Sequence, residues 1–261
     1  MNELERIVAT TRLEVGRRRD VVPLAELERA AAERSHAEVR PLIEALTRPG
    51  LSLIAEHKRR SPSAGLIRDG VPLVEVIRSY ERAGAAALSI LTEEQNFGGS
   101  LEDLRSARAA SPLPILRKDF IVDPYQVHES LAAGADAILL IVAALSEQEL
   151  LGLYALARTM GLGVLVEVHD RREAEVALAA GAEVVGINNR DLTTLAVDTG
   201  RTFELLPLLP SDVVSVAESG FTTRAELEQL AEAGVDAVLI GEALMRSTDI
   251  EAACRELTGI I

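Results

Sequence analysis

Only two of the chain's 27 cationic side chains are lysines, Lys58 and Lys118; the other 25 are arginines. A guanidinium keeps its proton at every accessible pH, whereas an ammonium can release one or be tuned by burial. A compositional preference for arginine explains the 25 but not the two exceptions. The lysines are therefore candidates for acid–base or Schiff-base chemistry. Both stand where an apolar run breaks into polar residues. Leu53-Ile54-Ala55 runs into Glu56-His57-Lys58, and Ile115-Leu116-Arg117 into Lys118-Asp119-Phe120. The same break recurs before Glu167, before Asn188-Asn189-Arg190, before Glu218-Ser219-Gly220 and before Gly241-Glu242. Each of Glu56, Glu167 and Glu218 could be an ion-pair partner of an arginine. Three glutamates each ending a buried run favour a shared polar pocket instead.

Residues two apart on a strand share a face, so Glu56 and Lys58 point together and His57 points away, toward a helix layer. His169 belongs to a loop or helix start, and His36 and His128 read as helical and structural. No two histidines share a metal-ligand spacing and there is one cysteine, Cys254, so neither a metal site nor a disulfide is expected.

These breaks need elements that bring them together, and an internal repeat supplies the elements. Ala83-Gly84-Ala85, Ala133-Gly134-Ala135, Ala180-Gly181-Ala182 and Ala233-Gly234-Val235 each precede a buried strand, with glycines spaced by 50, 47 and 53 residues. One βα unit of a (β/α)₈ barrel takes about 25–30 residues, so each interval holds two units and the marked strands are the even-numbered ones. The odd strands are expected at 51–55, 114–117, 163–168 and 213–217. Capping boxes are expected at Ser146/Glu149, Thr223/Glu226 and Thr248/Glu251, where a hydroxyl and a carboxylate satisfy free helix amides. The whole chain, 1–261, reads as one α/β domain, a TIM barrel. Residues 1–48 form an N-terminal helical extension of one or two helices, broken at Pro23 and Pro41 and packed across the barrel. Catalytic groups of such barrels sit at the C-terminal strand ends, where all six breaks fall.

Gly220 and Gly241 follow the seventh and eighth strands, each with a helix start beyond, which is where barrels hold phosphate. Arg190 from the sixth loop and Ser61 and Ser63 from the first add polar contacts. That first loop, Arg59 to Gly70, is long for its position and has the character of a lid, with Gly65 and Gly70 as hinges. Phe97 and Phe120 fall in loops two and three and suit a flat ring, with ordinary loop anchoring as the alternative.

The net charge of −14 disfavours nucleic acid and anionic membranes. The longest apolar run, Ala137 to Leu145, is too short to cross a bilayer and no leader is evident, so the cytoplasm is the expected compartment. Residue types and spacing thus give acid–base chemistry on a small anionic sugar phosphate and no single reaction.

The motifs narrow it. Ile54-Ala55-Glu56-His57-Lys58-Arg59-Arg60-Ser61-Pro62-Ser63, Leu88-Ser89-Ile90-Leu91-Thr92-Glu93, Leu116-Arg117-Lys118-Asp119-Phe120, Leu165-Val166-Glu167-Val168-His169, Gly186-Ile187-Asn188-Asn189-Arg190-Asp191-Leu192, Ala217-Glu218-Ser219-Gly220 and Leu239-Ile240-Gly241-Glu242 run in order along the chain. Together they resemble the signature of the indole-3-glycerol-phosphate synthase family. His57 departs from it, on the face turned away from substrate. The resemblance implies a lyase and decarboxylase of tryptophan and aromatic amino-acid biosynthesis, with no cofactor or metal, expected here as a monomer. It would convert 1-(2-carboxyphenylamino)-1-deoxy-D-ribulose 5-phosphate to indole-3-glycerol phosphate by ring closure, decarboxylation and dehydration. By motif, Lys118 would be the general acid, Lys58 would bind the substrate carboxylate and act as a second acid, Glu56 would support the lysines and Glu167 would be the base or an electrostatic stabiliser. Asn188, Glu218 and Ser219 would hold the substrate's hydroxyl and amine groups. Ser61, Arg190, Gly220 and Gly241 would hold the phosphate. The competing readings are a Schiff-base aldolase, a phosphoribosyl isomerase-like barrel, and a ligand-binding barrel without catalysis.

Overall fold

The computed structural model describes residues 2–34 and 38–259; His36 lies outside them. Eight strands form the barrel: β1 (Ser52–His57), β2 (Ala87–Leu91), β3 (Ile115–Lys118), β4 (Ala137–Ile141), β5 (Gly163–Val168), β6 (Val184–Asn188), β7 (Val214–Glu218) and β8 (Ala237–Ile240). Each pairs in parallel with its sequence neighbours, and β8 closes on β1 through registers such as Ile54 with Leu239. All four repeats end a helix in the same way. The glycines at 84, 134, 181 and 234 take positive φ. The amide after each bonds back five residues, from Ala85 to the carbonyl of Tyr80, Ala135 to Ser130, Ala182 to Ala177 and Val235 to Leu230. This is the Schellman closure, for which only glycine carries no Cβ penalty.

Outer helices follow each strand: α4 (Leu73–Arg82), α5 (Leu101–Ala110), α6 (Pro124–Ala133), α7 (Glu147–Thr159), α8 (Arg171–Ala179), α9 (Gly200–Leu205), α10 (Arg224–Ala233), and both α11 (Glu242–Arg246) and α12 (Ile250–Thr258) after β8. The boxes at Ser146 and Thr223 form as expected. The one at Thr248 does not. Asp249 caps α12 and accepts from the Ala252 amide, because its carboxylate lies one residue nearer the helix. Glu251 instead pairs with Arg82 and Arg255.

Among the described residues three α-helices precede the barrel, where the sequence suggested one or two: α1 (Glu3–Val21), α2 (Leu24–Glu33) and α3 (Leu42–Leu46), with Pro23 and Pro41 immediately before the last two. They serve different faces. α1 lies across the C-terminal mouth, where Leu4 and Ile7 are buried and Arg6 donates to Asn96 of the second loop at 2.7 Å. α2 packs on α6, and α3 packs under the opposite end, on β1 and β2. The barrel interior is filled by Ile54, Leu116, Leu139, Leu165, Val216 and Leu239, continuous with Leu4, Ile7, Leu42 and Leu46 of the extension. It is a packed core rather than a pore, so within the barrel the space for a ligand opens at the mouth. Among the described residues no helix is long and apolar enough to cross a membrane.

Candidate active site

The strand ends reach further than the sequence placed them. β1, β3 and β7 extend to His57, Lys118 and Glu218, so these residues are held by ladder geometry rather than by loops. The mouth encloses a cavity of about 410 Å³. Every candidate residue lines it: Glu56, Lys58, Ser61, Phe97, Lys118, Phe120, Glu167, Asn188, Arg190, Glu218, Ser219, Gly220 and Gly241.

Lys118 is the centre of the charge arrangement. Its Nζ donates to Glu167 Oε2 at 2.7 Å and to Glu218 Oε2 at 2.9 Å. Burial works against the ammonium, but the two carboxylates outweigh it and hold its pKa well above the ordinary lysine value. The glutamates respond in opposite directions. Burial favours the neutral form of both. Lys118 and His169 overcome it at Glu167, which is held well below the usual carboxylate range. At Glu218 burial prevails over Lys118, with Glu167 adding like-charge repulsion, and the group is pushed up to about 7. Lys58 Nζ pairs with Glu56 Oε1 at 2.9 Å, and Ser89 donates to the other oxygen of Glu56 at 3.2 Å.

Glycine makes two of these placements possible. A Cβ at Gly241 would lie 2.6 Å from Glu56 Oε1, and one at Gly186 would lie 2.2 Å from Glu218 Oε1. The obstructing atom at Gly186 is the free end of a side chain. Gly186→Ala therefore displaces the Glu218 carboxylate from Lys118 without breaking the barrel. It should lower kcat by about 10- to 100-fold with little change in the melting temperature, and steady-state kinetics beside a thermal melt would check it. Wild-type turnover in that variant would show that the position of Glu218 is immaterial.

Asn188 and Asn189, adjacent at the end of β6, divide their tasks. Asn188 Nδ2 donates to Glu167 Oε1 at 3.0 Å, and its Oδ1 accepts the Arg190 amide at 3.0 Å. Asn189 faces outward, where its Nδ2 donates to the Ser219 carbonyl at 3.0 Å and its Oδ1 accepts from Thr202. It fixes the turn after β7. There Ser219 takes φ of 64°, uncommon for a residue with a Cβ, and Gly220 follows at 96°. The helix expected after Gly220 is present, capped by Thr223 as expected. α10 begins only at Arg224, and Glu226 already occupies the amides of Thr222 and Thr223. A carboxylate fills that helix terminus, so the feature presented to the cavity after β7 is the Ser219–Gly220 turn itself. Gly241, by contrast, immediately precedes α11 and brings no side-chain cap.

The first loop is a small hairpin, Arg60–Ser61 against Gly65–Leu66. Arg59 anchors it to Asp103 at 2.6 Å, and Arg68 anchors it to the Ser247 carbonyl at 2.6 Å. Gly65 and Gly70 have φ of 63° and 78°. Phe97 and Phe120 lie with ring centroids 6.3 Å apart. They share an apolar wall with Leu4, Ile7, Leu139 and Ile141. Polar breaks mark none of the share that α1 gives to this wall, although the buried spacing of Leu4, Ile7, Thr11 and Val15 marks one face of that helix. His57 is buried away from the cavity; burial, helped by Arg59, lowers its pKa to about 4. His169 is the residue the sequence reading underrated, since its Nε2 lies 3.4 Å from Glu167 Oε1. A local clue was available in its spacing of two from Glu167 at the end of a strand.

Known proteins resemble this chain in sequence and in fold. The model of the family described as indole-3-glycerol phosphate synthase matches residues 4–257. A curated relative of that name from Dehalococcoides mccartyi is 48% identical over 257 residues, covering 97% of this chain and 99% of the relative. Another from a Nocardioides species is 48% identical over 260 residues, covering 100% and 99%. Among solved structures, a mutant tryptophan synthase alpha-subunit from Pyrococcus furiosus superposes with a TM-score of 0.62 at 16% identity, covering 80% of this chain and 98% of that one. At that identity the likeness concerns the fold alone.

Proposed function

The chain belongs to the indole-3-glycerol phosphate synthase family, and on that premise we propose how its barrel mouth carries the reaction. The activity is that of a decarboxylating carbon–carbon lyase of tryptophan biosynthesis. In 1-(2-carboxyphenylamino)-1-deoxy-D-ribulose 5-phosphate, the ring carbon that bears the carboxylate attacks the ketone carbon. Carbon dioxide leaves, then water, and indole-3-glycerol phosphate remains. The observation that carries the assignment of roles is the contact of Lys118 Nζ with both Glu167 and Glu218, beside an apolar wall.

Lys118 is the general acid. An ammonium stabilised by two carboxylates is a reluctant donor at rest, but the alkoxide forming on the attacked ketone is a far stronger base and takes its proton. The same carboxylates disfavour the aldolase reading, because a Schiff base needs a neutral amine and this one is held charged. Lys58, supported by Glu56, binds the substrate carboxylate and serves as a second acid during dehydration. Glu167 accepts the proton released as the new ring becomes aromatic. Asn188, Glu218 and Ser219 bind the substrate's amine and hydroxyls, and Phe97 and Phe120 flank its aromatic ring. Ser61, Arg190, the Ser219–Gly220 turn and Gly241 hold the phosphate. The helical segment 1–48 acts with the barrel as one domain, since α1 supplies part of the apolar wall. The protein works as a cytoplasmic monomer without nucleic-acid partners.

Indole fluorescence developing from the anthranilate-derived ribulose phosphate tests the activity directly. A product that keeps its carboxylate would favour the isomerase-like reading, and a borohydride-trapped lysine adduct the aldolase. Arg190→Ala should raise KM by about tenfold and lower kcat by much less, the pattern of lost ground-state binding. A fall in kcat at unchanged KM would remove Arg190 from the phosphate site.

A further inference from the structure

The two glutamates that share Lys118 are not equivalent. Both oxygens of Glu167 accept a hydrogen bond, Oε2 from Lys118 at 2.7 Å and Oε1 from Asn188 at 3.0 Å, and His169 Nε2 lies 3.4 Å from Oε1, an ion-pair distance without hydrogen-bond geometry. Glu218 has Lys118 on Oε2 at 2.9 Å, and its buried Oε1 has no hydrogen-bond partner among the described residues. The roles assigned above make no use of His169. Its ring is nearly buried and is fixed from the far side, where Nδ1 lies 3.0 Å from Glu173 Oε2 in the first turn of α8. The same oxygen accepts the His169 amide at 2.7 Å. The imidazole thus stands between one carboxylate of the site and one near the surface. Neutral imidazole carries one N–H and one lone pair, so one carboxylate would face a lone pair. Imidazolium presents positive charge to both, through a hydrogen bond to Glu173 and an ion-pair contact with Glu167.

We propose that His169, charged in the resting enzyme, is a positioning residue that keeps Glu167 anionic and so directs the cluster's mobile proton to Glu218. Glu167 then has two cations against its carboxylate and Glu218 has one. The groups that face His169 are Glu167 from β5 and Glu173 from α8, with Lys118 and Asn188 reaching it through Glu167. Burial disfavours the charged ring, yet the two carboxylates raise its pKa to about 9. Groups whose surroundings drive their protonation apart divide acid and base work between them. Glu167 is thereby ready to accept a proton, and protonated Glu218 presents a donor to a substrate oxygen. The inference deepens the synthase reading and rests on it.

Carboxyl-¹³C-glutamate labelling follows the proton directly, in wild type, His169→Gln and Glu173→Gln, alongside kcat and KM for indole formation. In wild type the near-neutral titration belongs to one carboxyl, identified by its loss in Glu218→Gln. In His169→Gln the proton is shared, and at least about a tenth of the shift change moves to the signal lost in Glu167→Gln. There kcat falls about tenfold while KM stays within about twofold. Glu173→Gln keeps the ring and lowers the His169 titration seen by proton NMR by about one unit. Carboxyl titrations unmoved by His169→Gln, or unchanged kcat, overturn the inference. If that variant does not fold, an unmoved His169 titration in Glu173→Gln overturns it equally. A wild-type enzyme that makes no indole product refutes the synthase reading itself; turnover with unshifted titrations refutes only the role of His169.

Discussion

Lys118→Arg should leave the barrel folded and lower kcat by about 10²–10⁴-fold, the scale of a positioned acid. The charge is conserved, so Glu167 and Glu218 keep a cation and the cluster is not left with uncompensated carboxylates. Two properties are lost. A guanidinium does not release its proton to a forming alkoxide. It is also longer and planar, and it cannot contact both carboxylates from the point Nζ occupies, 2.7 and 2.9 Å from their oxygens. The loss should fall on kcat rather than KM, because the interaction is realised in the transition state. Single-turnover fluorescence would separate the chemical step from product release. A chemical step within a few-fold of the parent would remove Lys118 from the acid role.

Arg117→Met should destabilise the fold by about 3–5 kcal/mol, the cost of removing one partner from a buried ion pair. Arg117 precedes Lys118 and points the other way, between the barrel and α6, with 1% of its surface exposed. It pairs with Asp119 at 2.8 Å and Glu129 at 2.9 Å, and donates to Thr92 Oγ1 at 2.9 Å. Methionine fills comparable volume but leaves Asp119 and Glu129 buried with their main cation gone. Arg18 of α1, 2.8 Å from Glu129, compensates in part. Urea unfolding would show the loss as a lower midpoint. An unchanged midpoint would mean the network is energetically neutral and can be replaced by packing.

Most of the barrel was legible because its signals are local. A glycine that ends a helix in the left-handed conformation announces itself one residue at a time, and four copies at near-equal spacing count the strands. Leu162 bonds back to Ala157 in the same closure, at 2.9 Å, but Met160-Gly161-Leu162 lacks the alanines and gave no sign. At the site, alternation correctly separated Glu56 and Lys58 from His57. It could not give strand lengths, which depend on ladder partners, so Lys118 and Glu218 were placed beyond strands that in fact include them.

Residue identity and order alone determined which groups meet at the mouth, since parallel strands in sequence order put all their C-terminal ends on one rim. Tertiary structure decided how those groups share charge. Desolvation and the few ångströms between Lys118, two glutamates and His169 set which carboxylate is ionised, and such energies depend on distances that sequence spacing does not contain. It also decided that α1 closes the mouth while α3 closes the base, because short connections let a helical extension pack wherever apolar surface is left uncovered.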